Sequence, residues 1–141
     1  MADLGETWVN PTPHPEMPDP SCKGGIVRWV GNATAGASLP PGSPTEALFA
    51  LNVASTSLRV DPTIYASLDN GATFSRSLKI DTSGGYSTVN VNNANEIVAF
   101  YDYAPDGSGI PGRASLTSAG GCSFNLAVVD PAVLLAPPEE V

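Results

Sequence analysis

The dipeptide Asn70-Gly71 lies between two strand-like runs, 63–68 and 72–80, and constrains the fold more firmly than any other feature of the chain. Asn and Gly accept the positive φ of a two-residue hairpin turn, so the spacing predicts a tight antiparallel hairpin over 63–80. Asp69 is placed beside the turn to accept hydrogen bonds from its N–H groups. Phe74 is placed to pack under the hairpin.

Further short runs at 26–30, 46–53, 57–60, 87–91, 96–103, 114–117 and 123–129 are separated by turn residues. That spacing predicts an all-β fold, a compact antiparallel β-sandwich or barrel. The run 46–53 also holds good helix formers and is read as a strand. Ile97 to Tyr103 is almost continuously apolar, which suits a central strand covered on both faces, whereas Ser87, Val89 and Val91 alternate with Thr88 and Asn90 as in a half-exposed strand. Fourteen glycines and fourteen prolines make a fifth of the 141 residues, against roughly 12% in average proteins. Turns at that density favour strands over long helices. The length suits one domain, and a hydrophobic content of 42% argues against disorder.

Pro11, Pro13, Pro15, Pro18 and Pro20 bar a helix near the N-terminus and bias the backbone toward a polyproline-like course. The expected organisation is an extended Pro-rich arm at 1–24, a β-sandwich or barrel body at 25–130, and an extended C-terminal tail at 131–141. Trp8 and Met17 are apolar handles on the arm, to be docked on this subunit or another, unless they are incidental residues of a loose terminus. No internal repeat is present.

The octapeptide Ser67-Leu68-Asp69-Asn70-Gly71-Ala72-Thr73-Phe74 resembles the Asp-box hairpins, which follow the pattern Ser-x-Asp-x-Gly-x-Thr-aromatic. The resemblance covers eight residues. It implies that Ser67, Asp69, Gly71, Thr73 and Phe74, with Asn70 in the turn, stabilise structure. In sialidases and related propellers such hairpins lie away from the catalytic centre. This chain has one box and four arginines and is too short for a propeller, so sialidase activity is not implied.

Little else in the sequence carries chemistry. A nucleophile needs a base, and the single histidine, His14, sits between Pro13 and Pro15 on the arm. Cys22 and Cys122 lack the spacing of a zinc site. They are either two reduced thiols or a disulfide, within the chain or between subunits, formed by oxidation outside the reducing cytoplasm. Asp102 with 106–109 reads as an ordinary polar turn or as part of a calcium loop. Asp61, Asp69, Asp81, Asp102 and Asp106 offer carboxylates for glycoside hydrolysis, but acidic residues are expected in turns in any case. The Asn32-Ala33-Thr34 triplet is read as a chance sequon. No catalytic residue, metal ligand or cofactor is expected. Six basic against fourteen acidic residues give a net charge of −8, which repels phosphate and disfavours nucleic acid. No apolar run approaches the roughly 20 residues of a membrane span. The N-terminus lacks the pattern of a signal peptide, which leads to the expectation of synthesis in a host cytoplasm.

A small, acidic, Gly- and Pro-rich β body with extended ends resembles the accessory structural proteins of tailed-bacteriophage virions, capsid decoration or cement proteins above all. The resemblance implies a non-enzymatic virion protein that binds the major capsid protein or another virion protein and stabilises contacts between shell subunits. It further implies a homo-oligomer, with a trimer possible, and subunit contacts made by Trp8 and Met17. The alternative is a carbohydrate- or host-surface-binding module of a phage fibre or tail, with Trp29, Tyr65, Tyr86, Tyr101 and Tyr103 as stacking residues. A small hydrolase ranks behind both for want of a base.

Overall fold

A computed structural model describes residues 12–31, 42–103 and 123–136. Two antiparallel sheets pack together in a β-sandwich-like arrangement. The first has the order β1-β2-β3-β4, formed by β1 (Gly25–Val30), β2 (Glu46–Val53), β3 (Pro62–Ser67) and β4 (Arg76–Lys79). The second has the order β5-β6-β7, formed by β5 (Ser87–Val91), β6 (Ile97–Tyr103) and β7 (Ser123–Val129). Each sheet is a meander in which neighbours in sequence pair, so the ladder needs no long crossover inside either sheet.

The core forms where the alternation of each strand points inward. Trp29, Phe49, Leu51 and Ile64 from the first sheet meet Val89, Ile97 and Ala99 from the second. Trp29 is fully buried, and its indole N–H donates to the Asn95 carbonyl at 3.0 Å, satisfying the one polar atom of its ring. The sheets approach closely where β1 crosses β5. A Cβ at Gly25 would lie 2.9 Å from the Val89 nitrogen and 3.0 Å from the Thr88 Cα, a contact only glycine permits.

Several expectations are corrected. The run 57–60 is not a strand; Val60 alone makes an isolated bridge, to Ser83. The strand expected from residue 72 begins at Arg76, and register places Ala66 opposite Arg76, so residues 68–75 form a loop where a two-residue turn was expected. The tail does not run extended from its first residues: α1 (Ala132–Leu135) is a single helical turn whose Leu134 and Leu135 are buried in the core. The Arg76 guanidinium holds it there, donating to the carbonyls of Leu134 at 2.8 Å and Ala136 at 2.9 Å. The expected strand 114–117 lies outside the described residues.

β3 is buried along its whole length. Its inner face enters the core, while its outer face is covered by the N-terminal arm, where Met17 packs on Ala50, Tyr65 and Phe74. A turn from the His14 carbonyl to the Met17 N–H, 3.2 Å, directs that side chain inward. The arm is thus a partial third layer over the first sheet.

Candidate interaction surfaces

The octapeptide loop is built by its own side chains. The Ser67 hydroxyl donates to Asp69 Oδ1 at 2.8 Å and accepts the Gly71 N–H at 2.7 Å. Asp69 also accepts the Thr73 N–H at 2.9 Å and the Thr73 hydroxyl at 2.8 Å. Asn70 and Gly71 hold φ of 59° and 89°, the left-handed conformation that Asn and Gly accept most readily. Hydrogen bonds from the Thr73 backbone and hydroxyl, then from Ser67, hold the Asp69 carboxyl down to about 2. These side-chain bonds compete with the β-ladder for the Gly71 and Thr73 amides, which explains why the loop is wider than a two-residue turn. Phe74 is buried beneath it, edge-on to His14 with ring centroids 5.2 Å apart, and its N–H donates to the Glu16 carboxylate.

Met17 is therefore used within its own chain. Expected to dock on this subunit or another and offered as a subunit contact, it is half-buried against its own body. Beside it runs an open groove of about 700 Å³ between the arm and the outer face of β1 and β2, lined by Pro13, His14, Pro18, Ile26 and Asn52 among others. The Asn52 amide donates across its floor to the Pro18 carbonyl at 3.4 Å. Trp8 lies outside the described residues.

The remaining chemical candidates have structural partners. Asp61 pairs with Lys79 at 3.1 Å. Asp102 accepts the Gly85 N–H and lies 3.9 Å from Arg59. Asp81 accepts from the Tyr101 hydroxyl at 2.9 Å and from the Asn125 amide at 3.3 Å. Burial works to raise Asp81, but hydrogen bonds from Thr82, Tyr101 and Asn125 outweigh it and hold the carboxyl below its ordinary value. Asp106 and 106–109 lie outside the described residues, as does the 32–34 triplet. Among the described residues no group of three His, Cys, Asp or Glu side chains is disposed to hold a metal. Burial pushes the half-buried Cys22 thiol up, against the opposing charge of Arg59. Its expected partner Cys122 lies outside the described residues. Of the proposed stacking aromatics, Trp29, Tyr65 and Tyr101 are buried. Tyr86 is exposed, but the Arg59 guanidinium sits 4.3 Å from its ring centroid.

The feature that sequence reasoning missed is on the second sheet. Phe124, Leu126 and Val128 project from the outer face of β7 at 66%, 63% and 53% exposure, and Phe100 of β6 adds 41%. Register sets Leu126 opposite Phe100 and Val128 opposite Val98, and the Phe100 and Phe124 rings stack with centroids 5.1 Å apart. The expectation that β6 is covered on both faces is corrected here. β6 is central in its sheet, but only Ile97, Ala99 and Tyr101 point inward to burial. Thr88 and Asn90 of β5 continue the same outer face as polar residues, so the apolar patch is confined to β6 and β7. It amounts to an apolar area on the order of 400 Å², comparable to the largest patch on an ordinary monomer. The signal was present in the sequence, since Phe124, Leu126 and Val128 alternate at the period of one strand face. Ala127 and Val129 on the other face disguise it.

Compared with known families and curated proteins, the chain matches no family model and no curated sequence.

Proposed function

We propose that this is a non-enzymatic virion structural protein, a decoration or cement protein that docks on a capsid shell and stabilises its subunit contacts. The observation that supports the reading is the contiguous apolar patch of Phe100, Phe124, Leu126 and Val128 on the outer face of the second sheet of an acidic chain. The largest apolar patch on a protein is often its functional surface, and the grouping of these four side chains on two neighbouring strands suits a surface that docks on protein. This moves the main anchor from the arm to the second sheet. Trp8 remains a second subunit contact in the proposal.

The test is co-sedimentation with purified shells. Wild-type protein should pellet with them, and F124S/L126S, changed only at exposed positions, should lose at least tenfold in affinity while remaining folded. Equal binding by the variant would reject the patch as anchor, and no binding by either would reject the cement reading. The carbohydrate-binding alternative now rests on Phe100 and Phe124, the stacked and exposed aromatic pair. Retention on a glycan array with no affinity for shells would favour it.

A further inference from the structure

We infer that β7 pairs with β7 of a second copy across a twofold axis, joining two three-stranded sheets into one continuous six-stranded sheet. The inference concerns self-association and stands apart from the shell-binding reading, since it requires no shell.

Among the described residues four strands end the two ladders, and three of them are protected. β1 carries Arg28, while β4 carries Arg76 and Lys79, charges that discourage edge pairing. The outer edge of β5 is bonded to the arm, with the Ser87 N–H donating to the Lys23 carbonyl at 2.9 Å. β7, Ser-Phe-Asn-Leu-Ala-Val-Val, carries no charge and no proline, and no strand pairs with its free edge among the described residues. An uncharged edge of alternating large apolar residues is a template for strand addition.

The occupant follows from register and charge. Antiparallel pairing centred on Leu126 sets Leu126 opposite itself, Phe124 opposite Val128 of the second copy, and Asn125 opposite Ala127. Every outward residue then meets an outward apolar residue, which closes a twofold, self-complementary interface. Two chains of charge −8 repel each other, so association is least opposed along an uncharged strand. In this register the two Asp130 carboxylates fall at opposite ends of the paired strands. The merged sheet carries both apolar patches side by side on one face.

The experiment is light scattering on the full-length protein without shells, from about 1 to 100 µM, a range that brackets micromolar dissociation. Wild type should reach twice the 14.4 kDa of one chain. L126K and L126E should each remain monomeric, because the register places like charges face to face. Mixed one to one, the two variants should regain the doubled mass. Leu126 is exposed, so both variants are expected to fold, with unchanged circular dichroism as the check. A wild-type monomer throughout the range would overturn the inference, including the case where its β7 amides exchange slowly because residues 104–122 of the same chain cover the edge. Dimers formed equally well by L126K alone would also overturn it, as would a mass of three chains.

Discussion

Asp69 shows how one exposed side chain sets a backbone path. Its carboxylate gathers the Thr73 N–H, the Thr73 hydroxyl and the Ser67 hydroxyl, all of which favour the ionised form. The folded carboxyl titrates at about 2, below its ordinary value of 3.8, so its contribution to the loop is fully present above that ordinary value. The contribution is lost as pH falls toward 2. Protection of the Gly71 and Thr73 amides, relative to their intrinsic exchange rates, should therefore fall between those limits, and D69N should show fast exchange at neutral pH. Pronounced protection of Thr73 in D69N would contradict this. Beneath the loop, Phe74 is buried on Ala50 and Tyr65. Truncation to Ala should cost about 3 kcal/mol in denaturant unfolding, at the low end for a buried Phe because the arm can partly collapse into the space. At Gly25 a Cβ meets backbone atoms of β5, which cannot yield as a side chain would. G25A should cost about 1 to 3 kcal/mol through forced separation of the sheets.

At the level of elements, the N-terminal arm belongs to the body over its described part. Met17, the Glu16 carboxylate on the Phe74 N–H, and the Pro18 carbonyl attach it to β2, β3 and the loop. Removing residues 1–20 uncovers the Ala50, Tyr65 and Phe74 surface, and the truncated protein should remain folded but lose about 2 kcal/mol. A change in denaturant midpoint within error would show that the arm adds nothing to stability. The same element marks the limit of what the sequence reveals. The side-chain network of the 67–74 loop lies within eight residues whose groups satisfy one another locally, so its members could be named from the sequence, while the width of the loop could not. The strands β1, β2, β5 and β7 were legible from period and punctuation. Met17 was not, since an apolar residue among prolines can dock on its own sheet or on a neighbour, and only the distant Phe74 decides between them. The exposure of β6 and β7 was hidden for a related reason. Apolar residues at both phases of a strand look alike whether the outer face is covered or left in water. The helical turn at the start of the tail was hidden because prolines signal an extended course, while Leu134 and Leu135 are held in the core by the distant Arg76, which binds the carbonyls of α1 and its C-cap.

For the whole molecule the governing contrast is a charge of −8 on a body whose second sheet presents an apolar patch. The charge keeps copies apart at long range and the patch draws surfaces together at contact. Raising ionic strength from about 20 mM to about 500 mM shortens the reach of the repulsion to a few Å, so self-association should strengthen. Weakening with salt would mean that ion pairs hold the contact. In the proposed function the β6–β7 face is the surface on which this protein meets its partners. It is tested most directly by amide hydrogen exchange on the protein free and bound to purified shells, read by peptide. With the protein dilute enough to be monomeric, new protection is expected in Ser123–Val129 and around Phe100, with the 67–75 loop unchanged. Protection confined to the arm, or to that loop, with β7 exchanging as in the free protein, would contradict it.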